Sequence, residues 1–242
     1  MTIVAARQFR NRATCFVGVG APSMAACLAR LLDAPDIVLM YESGTIGAKP
    51  TTAPLSIADL ELAETADVVV PVTEFFSYWL QGGRIDMTFL GTAQIDRFGN
   101  LNTTVTGDYE RPKVRLPGAG GAPEVAKLSK EVFVITKHTR RAFVEKVDFI
   151  TTVTRKNLTA VVTDLGVLKP DAETGELILV ACHPGVSVEE VQAASGWVLR
   201  VAVELEETVE PAASELDVLR DLESRTRKSR TRKAHESETR LA

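Results

Sequence analysis

Cysteine and histidine are both scarce in this chain. Cys15, Cys27 and Cys182 are odd in number and scattered, with no Cys-x-x-Cys pair. That pattern excludes a disulfide framework and suits buried free thiols in a reducing compartment. His138, His183 and His235 are equally dispersed, so no metal site is expected. No Gly-x-Ser-x-Gly elbow occurs, which argues against a serine hydrolase. Gly18-Val19-Gly20 lacks the third glycine of a dinucleotide fingerprint, so a nicotinamide cofactor is not expected. No apolar run approaches the length of a membrane span, and the start, Met1 to Arg7, has no signal-peptide pattern. A cytoplasmic location is therefore expected. The formal charge of −4 gives no overall pull toward nucleic acid or an anionic membrane.

What remains is a chain of 242 residues with the balance of an ordinary globular protein, 45% hydrophobic and 25% charged, long enough to bury a sizeable core. Strand and helix patterns alternate. Cys15-Phe16-Val17 runs into Gly18-Val19-Gly20-Ala21-Pro22, and helical spacing of Met24, Cys27, Leu28, Leu31 and Leu32 follows. Further strands are expected at Ile37–Met40, Val68–Val72, Met87–Gly91, Val132–Ile135, Phe149–Val153, Ala160–Asp164 and Leu177–Ala181. A helix is expected from Phe75 to Leu80, and a hairpin turns at Phe98-Gly99-Asn100. This order predicts an α/β fold with a largely parallel open sheet covered by helices. One domain is expected over residues 1–222. The basic segment 223–242 has few apolar residues and no period, and reads as a disordered tail. Such a tail could touch RNA, but a nucleic-acid role is not expected to set the function.

Tyr41-Glu42-Ser43-Gly44 stands out, because a buried strand delivers a carboxylate directly into a glycine turn. A charge there is costly unless the site uses or pairs it. Ligand clefts form at the carboxyl ends of strands in open α/β sheets. Glu42 is thus the candidate catalytic group, the alternative being an acid that simply turns into solvent. Two glycine loops precede helix starts, at Val19-Gly20 and at Gly118, Gly120 and Gly121. Glycines in such loops let backbone N–H groups approach an anion closely. Ser43, Gly44 and Gln94 are candidates for shaping the cleft. Read from chemistry alone, these parts suit an enzyme of acyl transfer or anion binding that depends on a carboxylate.

The order of these segments resembles the β subunit of class I CoA-transferases. It is carried by Gly18-Val19-Gly20-Ala21-Pro22, Glu42-Ser43-Gly44, Gln94-Ile95-Asp96, Gly99-Asn100-Leu101-Asn102 and Gly118-Ala119-Gly120-Gly121-Ala122. Lys137-His138-Thr139 and His183-Pro184-Gly185 agree as well, and the similarity spans roughly residues 3–222. The glutaconate CoA-transferase branch is a broad match. The resemblance implies that Glu42 attacks an acyl-CoA thioester, and that an α-type subunit completes the site in an α2β2 assembly. It implies no cofactor, since coenzyme A is part of the substrate. Within this fold the chain looks most like the actinobacterial steroid-degrading subgroup, hydrolases that open the last ring of a cyclic β-keto acyl-CoA. The expectation is therefore a ring-cleaving hydrolase, with a glutaconate-type transferase and a non-catalytic scaffold for the α subunit as alternatives. Many transferases read Ser-Glu-Asn-Gly where this chain has Tyr41-Glu42-Ser43-Gly44, which leaves the role of Glu42 open between base, nucleophile and positioning group.

Overall fold

A computed structural model describes the backbone of residues 1–241 and the side chains of residues 1–232. Ten strands form one sheet: β1 (Thr14–Val17), β2 (Val38–Met40), β3 (Thr45–Ile46), β4 (Val68–Val69), β5 (Met87–Leu90), β6 (Glu131–Ile135), β7 (Leu158–Val162), β8 (Gly166–Pro170), β9 (Leu177–Cys182) and β10 (Arg200–Glu207). Their spatial order is β10-β9-β8-β7-β6-β5-β1-β2-β3-β4. The centre, from β7 through β6, β5 and β1 to β2, is parallel. The flanks are antiparallel where β3 and β4 join one side and β8 and β9 the other, while β10 runs parallel to β9. This is the α/β architecture expected, with its parallel character concentrated in the middle.

Side chains alternate between two cores, as the pleat requires. Cys15, Val17, Leu39, Met87, Phe89, Phe133 and Ile135 face the helix Ala21–Leu31 and the C-terminal helix. Phe16, Met40, Leu90, Val132 and Val134 face Phe75, Leu80, Val125 and Phe143 on the other side. The helix Ala21–Leu31 opens with Pro22 in its first turn, where a missing N–H costs nothing, and buries Ala25, Ala26, Leu28 and Ala29.

Several elements differ from expectation. Phe75–Gln81 is a π-helix, wider than the α-helix its spacing suggested. Of Phe149–Val153 only Thr152–Val153 is a strand. It joins a small separate sheet with Asn100–Asn102 and Gln94–Ile95, because it pairs with the hairpin and not with the main sheet. Strands β8 and β10 were not anticipated.

The disordered tail also needs correction. Ala213–Leu241 is one helix, and it is packed beyond residue 222: Leu222 is fully buried and Thr226 is 3% exposed. The side chains of the remaining tail, from residue 233 on, lie outside the described residues. No helix among the described residues is long and apolar enough to cross a membrane.

Candidate active site

The carboxyl ends of the parallel neighbours β1, β2 and β5 lie side by side, and each runs into a loop at the same edge of the sheet. After β2, Tyr41 to Gly44 makes a tight turn: the Gly44 N–H donates to the Tyr41 carbonyl at 3.0 Å. β3 then returns antiparallel, with Met40 opposite Ile46. Gly44 has φ +91°, and a Cβ there would overlap the Val70 carbonyl oxygen. The same two residues are joined where the Val70 N–H donates to the Gly44 carbonyl at 2.9 Å. The turn is therefore fixed by strand pairing on one side and by β4 on the other. Tyr41 is fully buried in the core, where desolvation pushes its phenol pKa up. The side chain that departs from the family's usual serine thus packs in the interior.

Glu42 projects toward the glycine loop. The Gly121 N–H donates to Glu42 Oε1 at 2.9 Å. A Cβ on Gly120 would lie 3.2 Å from Glu42 Oε2, and one on Gly121 would lie 2.5 Å from Phe76 Cζ. Only glycine lets the loop close this tightly over the carboxylate while Phe76 sits against it. The loop is anchored from below, since the Gly118 N–H donates to the Thr103 carbonyl at 2.8 Å and Thr103 Oγ1 donates to the Gly118 carbonyl at 2.7 Å.

Glu42, with the glycine loop, borders two hollows. One, of about 480 Å³, is walled by residues including Phe16, Val19, Leu55, Ile57, Leu90 and Gly118. Glu42 is the single charged side chain among the residues that wall it. The other, of about 440 Å³, is lined by Glu42, Phe76, Gly120, Gly121, Pro123 and Glu124. A lone carboxylate in an apolar wall, held by one backbone donor through one oxygen, is suited to attack or deprotonate a bound acyl group. A larger cleft of about 550 Å³, between the C-terminal helix and Thr51–Glu64, does not include Glu42.

The structure brings Glu42, Val19, Gly118, Gly120 and Gly121 together, either in the first hollow or at its shared wall. Gly20, Ser43, Gly44 and Gln94 do not line either hollow. Gly20 is the cap residue of the helix Ala21–Leu31, Ser43 lies 3.5 Å from Thr45 across their hydroxyls, and Gly44 serves the turn. Gln94 is buried in the hairpin, donating to Asp148 Oδ2 at 3.0 Å and accepting from Asn102 Nδ2 at 2.7 Å. Its sequence neighbours Thr92 and Ala93 wall the hollow instead. His183 bonds to Thr208 Oγ1 and to the Thr163 carbonyl, a loop tie away from Glu42. Sequence reasoning did not place Leu55, Ile57 or Phe76 at the site. Leu55 and Ile57 are exposed apolar residues in a segment without regular structure, which was the available signal.

The model of the coenzyme A transferase family matches residues 1–194. The chain belongs to the coenzyme A transferase family. The β subunit of a 3-oxoadipate CoA-transferase from Pseudomonas knackmussii is 57% identical over 240 residues, which cover 93% of this chain and 92% of that protein. The crystal structure of glutaconate coenzyme A-transferase from Acidaminococcus fermentans superposes with a TM-score of 0.82 at 30% identity, covering 90% of this chain and 91% of that one. A cholesterol ring-cleaving hydrolase IpdB subunit from Rhodococcus jostii is 27% identical over 213 residues, 83% of this chain and 81% of that protein. Within the family, the chain is therefore far more similar to a transferase than to a ring-cleaving hydrolase.

Proposed function

We propose that this chain is the β subunit of a heteromeric CoA-transferase that moves coenzyme A between a dicarboxylic acyl-CoA and a 3-oxo acid, with Glu42 as the nucleophile. The observation that carries this reading is the Glu42 carboxylate in an apolar wall, its Oε1 held by the Gly121 N–H. The 57% identity to the β subunit of a 3-oxoadipate CoA-transferase supports the substrate class and an α-type partner. The reading of the chain as a steroid ring-cleaving hydrolase has weaker support, at 27% identity. Assembly as α2β2 is part of the proposal.

Glu42 attacks the thioester carbonyl, the C–S bond breaks, and the CoA thiolate leaves an acyl–glutamyl anhydride. The thiolate then attacks the glutamyl carbonyl and releases the first carboxylic acid, so that CoA is held as a glutamyl thioester. The acceptor carboxylate attacks that thioester and expels the thiolate, which closes the cycle by attacking the acceptor's acyl carbon. Dividing one difficult exchange into such steps is what covalent catalysis supplies. Water excluded by the apolar wall keeps each intermediate from hydrolysing. Glu42 is the one charge in that wall, so a second carboxylate on the acyl group calls for a cation from the partner subunit.

The test is borohydride or hydroxylamine trapping of the complex with succinyl-CoA, read by peptide mass. A modified Glu42 peptide and an absolute need for a carboxylate acceptor are expected. Steady release of free CoA without an acceptor, and an unmodified Glu42, would return the hydrolase reading.

A further inference from the structure

The segment from Gly47 to Asp59 contains no helix or strand, yet its Leu55, Ser56 and Ile57 wall the hollow that holds Glu42. Something else must fix it, since a loop without backbone pairing has little stability of its own. Two ties come from the C-terminal helix, which lies beyond the family-matched residues 1–194. Thr226 Oγ1 accepts from the Ala53 N–H at 3.1 Å, and both residues are buried. Arg225 Nη1 donates to the Thr51 carbonyl at 2.6 Å. A third tie closes the loop on itself, as the Glu61 carboxylate accepts from the Thr51 N–H and from the hydroxyls of Thr51 and Thr52. The helix is seated by Leu222, fully buried in the core.

We infer that the C-terminal helix clamps this segment and so sets the shape of the acyl pocket, with Thr226 as the positioning residue and Leu55 and Ile57 as its specificity-determining wall. The inference rests on the transferase reading for its substrate, and on geometry for the clamp. Burial makes Thr226 the sensitive tie: removing its oxygen leaves the Ala53 N–H buried without a partner, whereas the exposed Arg225 contact can be replaced by water. Thr226 touches no residue named in the chemistry, so its loss is expected to alter binding more than the chemical steps.

The experiment compares Thr226→Val, which keeps the shape and removes the acceptor, with Thr226→Ser, which restores it, both in the complex with the partner subunit. Amide hydrogen exchange over residues 51–57 and turnover of succinyl-CoA are measured together. In Thr226→Val the Ala53 amide is expected to exchange about tenfold faster. KM is expected to rise roughly three- to tenfold with kcat within about twofold. Thr226→Ser should match the wild type in both. Unchanged exchange in Thr226→Val would overturn the clamp, and faster exchange with unchanged KM would overturn its link to the pocket. Failure of the transferase reading shows separately, as a wild-type complex without acyl transfer. In that event protection of the Leu55 and Ile57 amides by succinyl-CoA decides the link, being present in the wild type and lost in Thr226→Val if the inference holds and equal in both if it does not.

Discussion

The Gly121 N–H reaches across 79 positions of sequence to hold Glu42 Oε1 at 2.9 Å. Neither residue alone makes the site. Glu42 is carried by a tight turn at the end of a parallel strand, and Gly121 by a loop that opens the helix Ala122–Leu128. The hydrogen bond directs the carboxylate into the shared wall of the two hollows. It leaves Oε2 as the oxygen that attacks in the proposed mechanism.

That relationship predicts the effect of Gly121→Ala. The new Cβ would sit 2.5 Å from Phe76 Cζ and 3.4 Å from Glu42 Cδ, so either the ring or the loop must move. A displacement of the loop misplaces the carboxylate, and kcat is expected to fall about 10²-fold with the fold retained. Adding Phe76→Ala should recover part of that loss by giving the methyl group room, a coupling that a double-mutant cycle measures. Additive effects of the two substitutions would show that Phe76 does not set the loop.

The parallel centre of the sheet was readable because its strands are short, continuous apolar runs bounded by glycine, such as Cys15-Phe16-Val17 before Gly18 and Met87 to Leu90 before Gly91. Glu42 and the glycine loop were each legible as separate anomalies, but their pairing was not, since nothing local links positions 42 and 121. The C-terminal segment was misread because charge without hydrophobic period looks unstructured. Its helix is supported instead by local charge pairs such as Asp221–Arg225 at 2.8 Å, and by tertiary anchors, Leu222 and Thr226, spaced one turn apart. Gln94 was placed at the cleft because it follows β5 closely, and the hairpin turns it into the small sheet.

Gly44→Ala tests the turn that carries Glu42. Its φ of +91° is disfavoured for any residue with a Cβ, and the added methyl group meets the Val70 carbonyl oxygen, part of a backbone that cannot swing aside. A loss of about 2–4 kcal/mol of stability is expected, read from the urea midpoint. Gly83→Ala is the matched control, because that glycine also has positive φ (+68°) but a Cβ there would meet nothing within 4 Å. Equal losses in the two variants would mean that strain alone, and not the contact with Val70, sets the cost at Gly44.

Asn102 ties the hairpin to the glycine loop. Fully buried, it donates to Gln94 Oε1 at 2.7 Å and to the Val105 carbonyl at 2.6 Å, and it accepts from the N–H groups of Thr104 and Val105. Asn102→Asp keeps the acceptor but turns the donor into a second oxygen facing two oxygens. It is expected to destabilise the chain by about 3 kcal/mol or more at neutral pH. The neighbouring Thr103 anchors Gly118, so activity should fall with stability. A fully active Asn102→Asp complex would show that the hairpin does not hold the loop.

The last prediction concerns acid. His138 is buried, stacked on Phe143 with ring centroids 3.7 Å apart, and its Nε2 lies 2.9 Å from Ser195 Oγ. Ser195 Oγ donates its proton to the Val191 carbonyl, so Nε2 is the nitrogen that carries hydrogen and the ring is neutral. Burial lowers its pKa from 6.5 to about 4, against an opposing pull from Asp164. Burial lowers that of His183 as well. The unfolded chain therefore takes up protons that the folded chain refuses between about pH 6.5 and pH 4, and stability falls as pH falls through that window. Above pH 6.5 this source contributes no slope. The His138 share is about 3 kcal/mol across the window, at ~1.4 kcal/mol per pH unit. His138→Gln should lower stability at pH 7 through lost packing, yet lose less than the wild type between pH 7 and pH 4.5, leaving the share of His183 in place. Urea midpoints at the two pH values measure the difference, and parallel losses in variant and wild type would place the acid sensitivity elsewhere.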